Sequence, residues 1–233
     1  MKKETYQLLE SWMHSCMTDS AHDREHVYRV LYTALELAGG EENVNYDVLI
    51  AACLLHDVGR QEQFADPALC HAQVGGEKAY SFLVEKGFDA DFARHVKDCI
   101  VSHRFRKSNP PESIEAKLLF DADKLDVTGA IGVARTLMYS GQNLRPLYSV
   151  NGDGICDGTD DPEDSFFREY KFKLEKNYDR FYTVRGREEA LGRKAAAVSY
   201  YENLLREVRR SYAGRGHLEE LLKYGKGGRY GQI

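Results

Sequence analysis

A long apolar run is the first thing this sequence lacks. The most extended one, Val48 to Leu55, falls far short of the ~20 residues a membrane-spanning helix requires, and the opening MKKETYQLLE has no hydrophobic signal core. A cytoplasmic protein with no membrane partner is therefore expected. Positive charge is not in surplus either: 32 Lys+Arg against 37 Asp+Glu leave a net charge of −5, which argues against a chain built to neutralise a nucleic-acid backbone. The five cysteines, Cys16, Cys53, Cys70, Cys99 and Cys156, are odd in number and show no CxxC spacing, so they read as reduced thiols, mostly core filler. Proline is scarce, with five in 233 residues, and strand-like alternation is missing.

What is present is a three- and four-residue recurrence of apolar side chains over most of the length, which predicts an all-α fold. Val27, Val30, Leu31, Ala34 and Ala38 form one stripe, and Gly39-Gly40 ends it as a helix C-terminus does. Comparable helices are expected at 3–17, 46–58, 71–86, 89–103, 113–125, 127–140, 163–182, 187–211 and 216–224. Arg104–Pro111 and the Gly- and Asp-rich Ser149–Pro162 read as surface loops, and the KYGKGGRYGQI end as loosely ordered. The expected organisation is a helical core over 1–145, with an acidic loop and C-terminal helices over 146–233 packed on it as a single domain. Its tyrosine-rich C-terminal helices could form a homodimer contact.

Chemistry enters where polar residues interrupt apolar helices. The run VLIAACLLHDVG should be a buried helix, yet it finishes in His56-Asp57, and burying an imidazole beside a carboxylate is costly unless each finds a partner. A divalent cation satisfies both, because neutral imidazole nitrogen and carboxylate oxygen are good ligands for first-row ions. A lone His-Asp pair would more often be a hydrogen-bonded core histidine beside a helix-end acid. Here it is accompanied by His26 and His22 near the edge of the earlier stripe, and by Asp121, Asp123 and Asp126 beside the apolar face of KLLFDADKLDVTGAIGVAR.

The set His26, His56-Asp57 and an aspartate near 123 resembles the H…HD…D motif of the HD-domain phosphohydrolase superfamily. The strings AHDREHVYRV, AACLLHDVGR, HAQVGGEKAYSFL, CIVSHRF and DADKLDVTGAIGVAR look like segments of a bacterial and archaeal branch of small HD hydrolases, so the likeness covers most of the chain. Thr183, Gly186, Ala190 and Arg193 are similar to a C-terminal pattern of that branch. The resemblance implies an all-α HD-domain helical bundle in which His26, His56, Asp57 and Asp123 ligate one divalent ion. Manganese, magnesium, iron, cobalt, nickel and zinc all suit such a donor set. Matching Ala-Asp-Lys-Leu to the last motif points to Asp123 as the final ligand, whereas a helical wheel favours Asp126; the alternative for Asp126 is to hold another ligand or cap the next helix. Asp121 is the weakest ligand candidate of the three, with orienting an imidazole as its alternative role.

The implied activity is hydrolysis of a nucleotide or other small phosphate ester or anhydride by a metal-activated water. His71 and His103 stand where the related HD-GYP phosphodiesterases have further histidines, which leaves room for a second ion; holding substrate phosphate or acting as general acid is the simpler role. The HD-GYP loop itself is absent, and no ED dipeptide of the alarmone-hydrolase kind follows the His-Asp pair. Arg60, His22, Arg104, Lys171 and Arg193 are candidate substrate contacts, with Arg106, Lys173 and Lys176 as further cations and solvated faces as the alternative for each. Phe105, Phe166 and Phe167 could stack a base or fill the core. The loop around Asn151, Asp153 and Gly154 has the spacing of a calcium loop, but Ser149 and Asp160 stand where its end ligands belong, so an acidic solvated turn is the default. His14, His95 and His217 read as structural. Two other classes compete: an HD-fold di-iron oxygenase, and a non-catalytic module in which a metal braces the helices.

Overall fold

The computed structural model describes residues 1–17, 24–104, 109–152 and 154–224. Its order is α1 (Lys3–Cys16), α2 (Arg24–Ala38), α3 (Tyr46–Leu55), α4 (Arg60–Ala65), α5 (His71–Glu85), α6 (Ala90–Ser102), α7 (Ile114–Leu125) and α8 (Gly129–Gln142). A hairpin of two short strands follows, β1 (Val150–Asn151) and β2 (Gly154–Ile155), then α9 (Phe166–Phe172), a 3-10 turn (Leu174–Asp179), α10 (Val184–Tyr212) and α11 (Arg215–Tyr224). The strands pair antiparallel, Val150 opposite Ile155, inside the segment expected to be a loop; the all-α expectation otherwise holds. None of the described helices is long and apolar enough to cross a membrane.

Contacts divide the chain into two compact units. The first comprises Met1–Thr128 and takes back Asn177–Gly192; the second comprises Gly129–Lys176 and the chain from Arg193 onward. The division thus falls at Thr128, ahead of the expected 145.

Helix α3 is the axis of the first unit. Its Val48, Leu49, Ala51, Ala52, Cys53, Leu54 and Leu55 are all buried, because a helix apolar on every side has to be covered on every side, and α1, α2, α5, α6 and α7 pack against it. Each buried leucine contributes about 1.5–3 kcal/mol relative to leaving it in water. The Asn45 side chain starts α3 by accepting the amides of Asp47 and Val48, and Ser113 starts α7 by accepting that of Ala116. Helix α3 stops at Leu55, short of the expected 58, and the chain turns through His56–Gly59 into the unanticipated α4. Glycine is required in that turn, since a Cβ on Gly59 would lie 2.3 Å from the His71 carbonyl oxygen and 2.5 Å from the Gly75 nitrogen. The close approach brings the start of α5 against the end of α3.

The expected continuous helix over 163–182 is broken into α9 and the 3-10 turn, and α10 starts at Val184 instead of 187. Fully buried Asp121 supplies the physical reason. Its carboxylate accepts the amides of Tyr182 and Thr183 and the Thr183 hydroxyl, engaging backbone donors at the start of α10, and a Cβ on Gly186 would come within 2.6 Å of the same carboxylate. The Thr183 and Gly186 pattern is therefore a clasp within the first unit. Ala190 completes it as a fully buried core residue.

The second unit has its own core of Val133, Phe166, Phe167, Tyr170, Leu174, Ala197 and Tyr201. Tyr170 and Tyr201 stack at 4.1 Å, and Phe166 and Phe167 are fully buried, so these two phenylalanines take the core role.

Candidate metal centre

Five element ends converge in the first unit. His26 stands in the first turn of α2, His56 caps α3 and Asp57 follows it, His71 opens α5, His103 caps α6, and Asp123 lies in the last turn of α7. All four imidazoles and Asp57 are buried. His26 Nε2 lies 3.3 Å from His56 Nε2 and 3.3 Å from Asp123 Oδ1. Asp57 Oδ2 faces the same point, 3.7 Å from His26 Nε2 and 3.6 Å from His56 Nε2. Its other oxygen, Oδ1, looks towards a second pair, His71 Nε2 at 3.7 Å and His103 Nε2 at 3.8 Å, which are 3.3 Å apart.

The outer ring nitrogens fix the tautomers. His56 Nδ1 donates to the Cys53 carbonyl at 2.8 Å and His103 Nδ1 to the Ile100 carbonyl at 2.5 Å. His71 Nδ1 donates to Gln63 Oε1 at 2.7 Å; the Gln63 amide nitrogen is engaged with the Leu69 carbonyl, so the amide oxygen is the atom that faces the ring. His26 Nδ1 donates to Asp126 Oδ2 at 2.7 Å, and Asp126 is gripped by Arg29 through Nε at 2.8 Å and Nη2 at 3.1 Å. With every Nδ1 carrying a hydrogen, Nε2 is the atom each ring turns inward, and a ring in its neutral form offers a lone pair there.

Four lone pairs and two carboxylates thus point inward, and Asp57 Oδ2 is buried with no hydrogen-bond partner. Acceptors facing acceptors at 3.3 Å are unfavourable until a cation lies among them, which is the fit these residues show for a divalent metal. His26, His56 and Asp123 form one ligand cluster with Asp57 Oδ2 beside it; Asp57, His71 and His103 form another.

The electrostatics agree. Burial pushes the His56 pKa down to about 4 and, with Arg60 adding to it, that of His71 down to about 3, so both rings are neutral ligands at pH 7. Burial raises the Asp57 carboxyl, but Arg60 and the imidazoles of His56, His26 and His103 outweigh it and hold it well below the usual carboxylate range. Asp123 is likewise pulled down against its burial, by His26, His103 and His56. Both acids are anions, as ligation demands.

The sequence candidates are distributed as follows. His26, His56, Asp57 and Asp123 are brought together, and Asp126 takes the alternative read for it, holding a histidine. His71 and His103 join the centre. Arg60 donates Nε to Asp57 Oδ1 at 2.9 Å, and Arg104 Nη1 lies 3.6 Å from the Cys70 sulfur. Both line a cavity of about 290 Å³ that opens beside the ligands. Lys171 and Arg193 belong to the second unit, where Lys171 pairs with Glu175 and lies 4.8 Å from the Tyr201 ring centre, and Arg193 packs against Gly129. His22, Phe105, Arg106 and Asp153 lie outside the described residues. Sequence reasoning passed over Arg29, Gln63, Phe120 and Lys124. Arg29 alone left a signal, standing one helical turn after His26.

The acidic loop closes on itself: Asp161 accepts the Gly158 amide at 2.9 Å and the Ser165 hydroxyl. His95 pairs with Glu115 at 3.1 Å and His14 with the Tyr28 hydroxyl at 3.0 Å, outside the centre.

Comparison with known proteins agrees with this geometry. The family model of the HD domain matches residues 24–128, the stretch from the helix of His26 to just past Asp126. The uncharacterized protein YpgQ of Bacillus subtilis (strain 168) is 29% identical over 206 residues, covering 86% of this chain and 92% of YpgQ. Its crystal structure in complex with ADP superposes with a TM-score of 0.66 at 27% identity, over 87% of this chain and 97% of that one. A crystal structure of an HD-superfamily hydrolase from Bacillus thuringiensis superposes with a TM-score of 0.68 at 29% identity, over 90% of this chain and 99% of that one.

Proposed function

We propose that this protein, whose residues 24–128 match the HD domain and bring together a His/Asp cluster fit for a divalent metal, is a cytoplasmic phosphohydrolase acting on a nucleotide or another small phosphate ester or anhydride. The observation that carries the reading is the inward set of four Nε2 lone pairs and two carboxylates with every Nδ1 hydrogen engaged elsewhere. His26, His56, Asp57 and Asp123 would hold the ion. When bound, such an ion lowers the pKa of a coordinated water towards ~7 and polarises a phosphoryl oxygen. The rest falls to the protein. Arg60 keeps Asp57 ionised and its guanidinium lines the cavity, where it can neutralise charge on an entering phosphate. A relative 27% identical binds ADP, which supports a nucleotide.

One feature favours a two-ion form of the same reading. Asp57 Oδ1, His71 and His103 are a second cluster sharing a carboxylate with the first, and the His71 and His103 lone pairs meet without a donor between them. In a one-ion form these two rings instead receive substrate phosphate or pass a proton to the leaving group.

The test is phosphate and pyrophosphate release from nucleoside mono-, di- and triphosphates by metal-stripped protein with manganese, magnesium, nickel or cobalt restored, beside Asp57→Ala. Metal-dependent release that disappears in the variant is expected. Tight metal binding without turnover on any substrate would overturn the reading. Two irons per chain with oxygen consumption would then assign the site to oxidative chemistry.

A further inference from the structure

Among the described residues a third cluster of ligand-type side chains belongs to the second unit and shares no residue with the first two. Cys156, Asp160 and Asp161 bring one sulfur and two carboxylate oxygens within 4.8 Å of one another. Acids on a solvated turn are ordinary, but here Cys156 is only 4% exposed and Asp161 only 3%. The turn is also held in place. A Cβ on Gly158, at φ +97°, would run into the Phe167 carbonyl of α9, and the Tyr201 hydroxyl donates to the Asp157 carbonyl. Asp161 accepts the Gly158 amide on one oxygen and the Ser165 hydroxyl on the other, which leaves a lone pair on each.

Ser149 supplies the independent observation. It is 5% exposed, and its Oγ is buried with no hydrogen-bond partner. Val150 faces Ile155 across the hairpin, so the next pair outward is Ser149 and Cys156, joined by the Cys156 amide donating to the Ser149 carbonyl at 3.1 Å. Residues opposite one another in an antiparallel pair project to the same face, and exposed Val150 beside buried Ser149 and Cys156 follows that alternation. An orphaned hydroxyl, a thiol and two acids thus meet on one side of the hairpin. Burial and the charges of Asp160, Asp161 and Asp157 push the Cys156 thiol up, and its hydrogen goes to Asp160. A divalent ion displaces that proton, leaves a thiolate and offsets the carboxylates.

We propose that Cys156, Asp160 and Asp161 bind a zinc-class divalent ion in the second unit, with Ser149 Oγ facing its fourth position. One sulfur among oxygens on a closed turn suits a borderline ion with four ligands, whereas calcium takes ~6–8 oxygens and no thiolate. The site is separate from the proposed hydrolytic centre, and it braces the turn that links β2 to α9.

The experiment titrates metal-stripped, reduced full-length protein with cobalt(II), whose thiolate complexes absorb in the near ultraviolet through sulfur-to-metal charge transfer. His26, His56, Asp57, Asp123, His71 and His103 offer no sulfur, so this band reads the Cys156 site alone. Cys70 adjoins His71, and Cys70→Ser is therefore the control for a thiolate at the first centre. The band should appear in wild type and in Cys70→Ser, vanish in Cys156→Ser and be displaced by zinc. Asp160 is exposed, so Asp160→Asn should fold normally and weaken cobalt at least about 10-fold. Ser149→Ala should weaken it about 3- to 10-fold. No band in wild type, a band unchanged in Cys156→Ser, or a band lost in Cys70→Ser would overturn the proposal. Should Cys156→Ser fail to fold, Asp160→Asn decides, and full cobalt affinity in that variant would overturn it as well.

Discussion

His26 and Asp126, a hundred residues apart, are joined by a 2.7 Å hydrogen bond from the imidazole Nδ1 to a carboxylate oxygen. Arg29 grips both oxygens of that carboxylate, so the ring cannot rotate or change tautomer without breaking an ion pair as well. Asp126→Asn should weaken metal affinity roughly 10- to 100-fold with the ligands intact. Asp123→Ala should remove tight binding altogether. Titration of manganese or cobalt into the two variants separates the positioning acid from the ligand; equal losses would mean that Asp126 is itself a ligand.

Asp57 serves both clusters, with Oδ2 towards His26 and His56 and Oδ1 towards His71, His103 and Arg60. Asp57→Asn keeps the shape and removes the charge, and is expected to reduce kcat about 100- to 1,000-fold, the loss on removing a principal electrostatic stabiliser. Metal content by mass spectrometry should fall with it. Retention of both full metal content and turnover would show that the carboxylate is not shared.

Acid should destabilise the metal-free protein. The folded pKa values of His56 and His71 are lowered, to about 4 and about 3, from an ordinary 6.5, so below pH 6.5 the unfolded chain binds more protons and stability falls with pH. Each ring costs up to about 1.4 kcal/mol per pH unit between about pH 6 and its folded value. The depressed carboxyls of Asp57 and Asp123 add the same sign below about pH 4. Thermal melts from pH 7.5 to 4.5 should show a steady decline, shallower in His71→Gln. A flat profile would contradict neutral buried rings.

Gly59→Ala places a methyl 2.3 Å from the His71 carbonyl and 2.5 Å from the Gly75 nitrogen, both backbone atoms. Overpacking of this kind costs typically ~1–3 kcal/mol, and here it pushes α5 and His71 outward. Denaturant unfolding should register the loss. Metal binding by the folded fraction should drop with it, whereas Gly141→Ala, with nothing near the added carbon, should leave both unchanged.

Metal should stabilise the fold, since the residues proposed to hold it come from α2, α5, α6, α7 and the end of α3. At a free concentration 100-fold above Kd, one ion adds ~2.7 kcal/mol. Differential scanning fluorimetry with manganese and then with chelator should raise and restore Tm; no shift would argue against binding at this cluster.

The sequence alone determined the helical class, the buried α3 and the residues that gather at the candidate centre, because helical periodicity and an acid ending an apolar run are local signals. His26, His56, Asp57 and Asp123 were legible for that reason, through the motif they spell. Local pattern was blind to what each neighbour of Asp123 does. Within one stretch of α7 and its cap, Asp121 clasps the start of α10, Asp123 faces the imidazoles, Lys124 lines the cavity and Asp126 holds His26. A helical wheel orders these side chains by angle, and it favoured Asp126 because that angle points to the core. Only the tertiary structure decided their roles, since the direction of a lone pair and the partner of a carboxylate depend on groups many residues away that folding brings within 3 Å.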